Sequence, residues 1–238
     1  MRAMLLAAGQ GTRLKPYTDR IPKPMVRIGG KPILEHNVES LTAYGIKDVA
    51  INLHYCPDVI MDYFGDGAKW GVNIRYSYEE SLLGTAGALK VIPDFFEDTF
   101  ILWYGDNLCH LNLPQLVDLH NANGGIGTIA LHWREEVSQV GIVDINGDCQ
   151  VLRFLEKPSP DQVFSHWVNA GVYVLEPDIL KHIPENQNYD FGRHLFPELL
   201  KSNQKLYGYR MDENEKFWWI DRAEDLRAVL RDWEGREI

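Results

Sequence analysis

Two cations ten residues apart, Arg13 and Lys23, follow a Gly9-Gln10-Gly11 turn near the start of the chain, and the combination suits a phosphate group. Glycines on both sides of Gln10 let the backbone approach an anion with no Cβ in the way, and the amides of such a turn can donate to it. Residues 1 to 31 hold seven cations (Arg2, Arg13, Lys15, Arg20, Lys23, Arg27, Lys31) and one anion, Asp19, so this stretch is net +6 in a chain of net −10 and leaves −16 for the rest. A positive stretch inside an acidic protein points to a polyanionic small molecule rather than a nucleic-acid surface. Two common glycine-rich templates fail. A dinucleotide fingerprint needs a third glycine where Leu14 stands, and Gly11-Thr12-Arg13 is not the Gly-Lys-Ser/Thr of a Walker loop.

Leu6-Ala7-Ala8-Gly9-Gln10-Gly11-Thr12-Arg13-Leu14, followed by Pro22-Lys23-Pro24, closely resembles the signature of the sugar-1-phosphate nucleotidyltransferases, also called nucleotide-sugar pyrophosphorylases. The resemblance covers essentially the whole chain and is strongest toward mannose-1-phosphate guanylyltransferase-like members. It implies that Arg13 and Lys23 grip the phosphates of a nucleoside triphosphate, while the backbone around Leu6, Ala8, Gly9, Gly11 and Thr12 lies against the nucleotide. Leu83-Gly84-Thr85-Ala86-Gly87-Ala88-Leu89 is similar to the family segment that contacts the base, with Glu79 five positions before Gly84. Relatives using uracil or thymine carry Gln there. A carboxylate can instead accept both adjacent donors of guanine, N1–H and N2–H, so Glu79 favours GTP. A solvated Glu beside Glu80 is the plain alternative.

The other motifs are weaker by themselves and gain meaning from the resemblance. Asp106 follows Gly105 at the tip of an apolar run, which alone reads as turn chemistry; in the family it is a ligand of the catalytic Mg2+. Asp221 holds the place of the second metal carboxylate, with an N-cap as its ordinary role, and Arg222-Ala223 shortens the usual turn after it. Tyr104-Gly105-Asp106-Asn107 also departs from the commoner Asn-Gly-Asp form. Glu156-Lys157-Pro158 is an exposed charge pair by default. The resemblance gives Glu156 the sugar hydroxyls, Lys157 the sugar phosphate and a third catalytic cation, and Asn169, Gly171 and Gly141 the walls of the sugar site. Asp190 to Pro197 matches an Asp-Phe-x-x-Asp-x-Phe-Pro run with His194 replacing the second Asp, read as helix surface.

These residues need strands that end at a common edge. Met4–Ala7, Asp48–Leu53, Val72–Tyr78 and Thr99–Tyr104 read as buried strands, and the stretches starting at Pro32 and at Pro57 read as helices closed by Gly45 and Gly65. Their alternation predicts an α/β fold, a three-layer Rossmann-like mixed sheet of the nucleotide-diphospho-sugar transferase type, with ligands at strand ends. Leu113–Asn123 reads as a helix, Asn146-Gly147 marks a hairpin, and Phe217–Asp221 reads as a strand before a helix over Ala223–Trp233. With 238 residues and 45% hydrophobic content, one nucleotidyltransferase domain over 1–238 is expected, with no β-helix extension. Cys56, Cys109 and Cys149 show neither disulfide nor zinc spacing. No run approaches a membrane span, and a cytoplasmic location is expected.

The implied reaction is attack of a sugar 1-phosphate oxygen on the α-phosphorus of a nucleoside triphosphate, releasing pyrophosphate. A phosphate monoester has its second pKa near ~6, so no general base is required. The partners are these two substrates, with no nucleic acid and no membrane; a homo-oligomer is left open. The rivals are cytidylyl, uridylyl or thymidylyl transfer to glucose 1-phosphate or another phosphate acceptor, a catalytically silent nucleotide-sugar-binding regulatory subunit, and a dehydrogenase, which Leu14 disfavours.

Overall fold

The computed structural model describes residues 1–234. In chain order they form β1 (Arg2–Leu6), β2 (Arg27–Ile28), β3 (Lys31–Pro32), α1 (Ile33–Ala43), β4 (Asp48–Leu53), α2 (Pro57–Phe64), β5 (Asn73–Tyr78), α3 (Gly84–Gly87), β6 (Phe100–Tyr104), β7 (Leu108–His110) and α4 (Leu113–Asn123). β8 (Gly127–Trp133), β9 (Gly141–Ile145), β10 (Val151–Glu156), β11 (Trp167–Leu175), α5 (Phe196–Lys201), β12 (Leu206–Arg210), β13 (Lys216–Trp218) and α6 (Ala223–Glu234) complete the order. The architecture is mixed α/β around a central mixed sheet, as the alternation of elements predicts. Two compact units share the chain: Met1–Leu82, Trp103–His110 and the described residues from Phe217 on make the first, Leu83–Leu102 and Leu111–Lys216 the second.

In the first unit β1, β4 and β5 run parallel, with Leu6 opposite Asn52 and Leu53 opposite Tyr78. β1 and β4 are buried along nearly their whole length, as strands covered on both faces must be. α1 starts after Pro32, buries Ile33, Leu34, Val38 and Leu41, and stops before Gly45 at φ 76°. A cluster of Leu14, Val26, Ile28, Ile33, Leu108, Trp218, Ile220, Leu226 and Val229 joins the N-terminal loop to β7, β13 and α6. Leu14 is the neighbour of Arg13 and Ile220 the neighbour of Asp221. The apolar contact is therefore what delivers that cation and that carboxylate to each other.

In the second unit β8 is the hub, antiparallel to β11 and parallel to β12, while β9 and β10 form an antiparallel hairpin. The hairpin is where Asn146-Gly147 signals it. Its loop, however, spans Asn146 to Gln150, and the positive φ of 63° falls on Cys149. The Asn146 side chain organises the loop by accepting from the amides of Asp148 and Gln150. β11 carries a bulge between Asn169 and Tyr173. β13 is shorter than expected, ending at Trp218, so Asp221 sits in the connection to α6 rather than on a strand. Among the described residues no helix is long and apolar enough to cross a membrane.

Candidate active site

In the first unit the N-terminal loop is shaped by its glycines in different ways. Gly11 has φ 66°, and a Cβ there would lie 2.7 Å from the Lys23 Cβ; the glycine is what lets Lys23 pass. Its carbonyl accepts from the Leu14 amide and the Thr18 hydroxyl. A Cβ on exposed Gly9 would meet nothing in the chain, so no contact within the protein calls for a glycine there, and the space beside it is open. Leu6 and Ala8 are buried along the strand end, and Thr12 and Arg13 are exposed on the following turn.

Two ion pairs bind this loop to distant acids. Lys23 Nζ lies 2.7 Å from Asp106 Oδ2, and Arg13 Nη1 lies 2.9 Å from Asp221 Oδ2. The Lys23 side chain is only 10% exposed, so an anion beside it offsets much of the cost of burying an ammonium. Asp221 is not the N-cap of α6. Asp225, in the first turn of the helix, reaches back instead, its Oδ2 accepting from the amides of Asp221 and Arg222, while the Asp221 carboxylate pairs with the guanidinium. Among the described residues no group of three or more His, Cys, Asp or Glu forms a metal cluster. Two hard carboxylates still suit Mg2+, which usually takes one or two from a protein and fills its shell with phosphate oxygens and water.

At the ends of the three parallel strands Glu79 is buried, 2% exposed, which overturns the solvated alternative. Asn52 Nδ2 donates to Glu79 Oε1 at 2.7 Å, and Ala7 N–H donates to Asn52 Oδ1 at 2.6 Å. His54 Nδ1 lies 2.8 Å from the Glu79 carbonyl and donates to it, since a carbonyl can only accept. Asn52 was not singled out from sequence. The available signal was one amide side chain interrupting the apolar run Val49 to Leu53.

The second unit gathers the remaining candidates. Gly84 has φ 77° and lies under Tyr189, whose carbonyl would be 2.7 Å from an added Cβ; the amides of Ala86 and Gly87 donate to that carbonyl. Thr85 is held by Asp190, which accepts from its amide at 3.1 Å and its hydroxyl at 3.3 Å, while the hydroxyl accepts from the Phe191 amide. Both residues therefore have an internal packing role. His194 is not idle helix surface. Its Nδ1 accepts from the Asp190 amide at 2.8 Å, and its ring stacks on Tyr189, which supplies an acceptor where the family motif has a carboxylate.

Strand register assembles the sugar-site candidates. Glu156 pairs with Gly141, and one step from the Ile142–Val168 pair antiparallel geometry sets Gly141 beside Asn169. Residues 156, 141 and 169 thus form one transverse row. A Cβ on Gly141 would come 2.7 Å from Glu156 Oε2, and one on Gly192 would come 2.6 Å from it; both glycines make room for the carboxylate. Burial pushes the Glu156 carboxyl up from its ordinary value, Lys157 and Arg193 pull it back, and Asp190 adds to the rise. Asn169 Oδ1 accepts from the Gly171 amide and its Nδ2 donates to the Tyr173 hydroxyl, with Gly171 at φ 71°. Lys157 is exposed and holds φ 53°, a region costly for a lysine.

The model of a family described as "Nucleotidyl transferase" matches residues 2–229. A UTP--glucose-1-phosphate uridylyltransferase of Synechocystis sp. is 39% identical over the whole chain and 64% of its own length. A mannose-1-phosphate guanyltransferase of Saccharomyces cerevisiae is 34% identical over 92% of the chain and 60% of its own. The crystal structure of HddC from Yersinia pseudotuberculosis complexed with GMP-PN is similar with a TM-score of 0.80 and 27% identity, covering 97% of this chain and 98% of that one. The chain thus spans less than two thirds of the length of these curated relatives, 64% and 60% respectively.

Proposed function

Because the chain belongs to the nucleotidyl transferase family, we propose that it transfers a nucleotidyl group from a nucleoside triphosphate to a sugar 1-phosphate, giving a nucleotide sugar and pyrophosphate. The observation that carries this is the pairing of Arg13 with Asp221 and of Lys23 with Asp106 around one N-terminal loop. The chemical problem is to bring two polyanions together in line, and it needs cations and pre-set dipoles more than proton transfer. The acceptor is already mostly dianionic at neutral pH, with its second pKa near ~6, so no base is needed. Arg13 and Lys23 would exchange their carboxylates for the triphosphate, and Lys157 would hold the phosphate of the sugar. Asp106 and Asp221 would hold Mg2+, which when bound supplies charge neutralisation at the α-phosphate. The row of Glu156, Gly141 and Asn169 would carry the sugar hydroxyls.

For the base, GTP is the first reading, with mannose 1-phosphate or a similar sugar as acceptor. It is supported by Glu79, a buried side chain that accepts from the Asn52 amide and is of the acceptor type that suits the two N–H groups of guanine. The guanyltransferase relatives and the GMP-PN complex of HddC agree. Uridylyl transfer to glucose 1-phosphate is the second reading, favoured by the Synechocystis relative. Pyrophosphate release from GTP, UTP, dTTP and CTP, each offered with mannose 1-phosphate and glucose 1-phosphate, tests both. Release from no pair would sink the proposal, and release from the UTP pairs alone would replace the first reading by the second.

A further inference from the structure

The base segment around Gly84 and the sugar row of Glu156, Gly141 and Asn169 take their roles from the proposed function. On that premise we infer that Tyr189 to His194 form one clasp that fixes both, with His194 as its positioning residue. Gly84–Gly87 is a single helical turn, too short to hold its shape alone. It is held from outside. The Tyr189 amide donates to the Leu83 carbonyl at 2.8 Å, and the Tyr189 carbonyl accepts from the amides of Ala86 and Gly87 at 2.9 Å each. Beside it Asp190 Oδ1 accepts from the Thr85 amide and hydroxyl. The Thr85 hydroxyl in turn accepts from the Phe191 amide at 3.0 Å, one of the orphan donors at the start of the turn Phe191–Leu195. The two segments therefore satisfy each other's backbone, and neither keeps its shape without the other.

His194 sets the geometry of the clasp. An Asp that opens a helix ordinarily turns its carboxylate to the amides of its own first turn; Asp190 instead aims Oδ1 at Thr85. Its amide donates to His194 Nδ1 at 2.8 Å, and its carbonyl accepts from the amides of His194 and Leu195 at 3.1 and 3.0 Å. This reach back from the first turn follows the logic of a capping box and holds the Asp190 backbone on both sides. Stacking of the His194 ring on Tyr189, with centroids 4.9 Å apart, steadies the residue whose carbonyl holds Ala86 and Gly87. The same few residues meet the sugar row. Gly192 comes so near Glu156 that a Cβ would lie 2.6 Å from Oε2. The Phe191 ring packs 5.1 Å from the Tyr173 ring, and the Tyr173 hydroxyl accepts from Asn169. Loosening the backbone at residue 190 thus reaches the base segment and the sugar row together.

The test is kcat and both KM values, for the triphosphate and the sugar 1-phosphate that wild type turns over best, in wild type, H194F, H194N and T85V, each checked for folding by thermal melting. H194F keeps a ring over Tyr189 and loses the acceptor; H194N puts Oδ1 where Nδ1 stood. Expected in H194F is a rise of about three- to tenfold in both KM values, the scale of one hydrogen bond. H194N should stay within about twofold of wild type. In both, kcat should change little, because these contacts support ground-state and transition-state binding alike. T85V should raise KM for the sugar 1-phosphate as well as for the triphosphate, although Thr85 lies on the base segment. Wild-type KM values in H194F, a rise confined to one substrate, or an H194N as impaired as H194F would overturn the inference while leaving nucleotidyl transfer standing. Should H194F not fold, T85V decides: a raised KM for the sugar 1-phosphate supports the clasp, and an unchanged one overturns it. No turnover in wild type with any pair removes the proposed function, and the clasp with it.

Discussion

Lys23→Met removes the ammonium that balances Asp106 while keeping an apolar stem of similar length. At the observed 2.7 Å two unit charges attract by about 6 kcal/mol at an effective dielectric of about 20. Most of this is cancelled. Asp106 is 33% exposed and can be resolvated, and the variant no longer bears the cost of burying the Lys23 ammonium, so a net loss of about 1 to 2 kcal/mol of stability is expected. Catalysis should suffer more, because losing one preorganised charge at a reacting phosphate costs about 10²- to 10³-fold in kcat. Urea unfolding and pyrophosphate release on the same preparation separate the two effects. The companion Asp106→Asn should lose turnover on a similar scale. For stability the double variant should be less damaged than the sum of the two, with a coupling of about 0.5 to 3 kcal/mol. Turnover within about threefold of wild type in folded Lys23→Met would refute the assignment of Lys23 to the phosphates, since about 0.7 kcal/mol of barrier is too little for a charge contact.

Glu156→Gln removes a carboxylate whose burial raises its pKa, so the variant should melt a few degrees higher at neutral pH while its KM for the sugar 1-phosphate rises; a lower melting point would contradict the burial argument. Burial pushes His132 down to about 4, below an unfolded value near 6.5. The unfolded chain thus takes up the proton first, and stability present above pH 6.5 is lost as the pH falls toward 4, by up to about 3 kcal/mol; His132→Leu should flatten this slope in melting curves recorded across that window. Leu226→Ala empties a position in the cluster that also holds Leu14 and Ile220 and should cost about 2 to 5 kcal/mol in urea unfolding, with turnover of the remaining folded protein reduced because the Arg13–Asp221 pair loses its support.

The strands that were legible are those where burial leaves a strong pattern. β4 and β6 are near-continuous apolar runs, and α2 and α4 carry proline at the start and glycine at the end, at Pro57, Gly65, Leu113-Pro114 and Gly124. What was hidden depends on contacts between residues far apart in sequence. Nothing near Asp190 announces that it grips Thr85, more than a hundred residues earlier, nor does the Asn52 neighbourhood announce Ala7 and Glu79. Nor does the text around Asp221 announce that Arg13 pairs with its carboxylate while Asp225 accepts from its amide. The division into two units, with residues 103–110 and the described residues from Phe217 on belonging to the first, leaves no composition break along the chain.

The most direct measurement supplies GTP labelled at the α-phosphate together with mannose 1-phosphate and Mg2+, and follows where the label goes. The account predicts label in a nucleotide sugar, one unlabelled pyrophosphate for each molecule formed, and loss of both in Asp106→Asn. Label recovered as GDP or GMP without any nucleotide sugar, or product formation unaffected by Asp106→Asn, would contradict it.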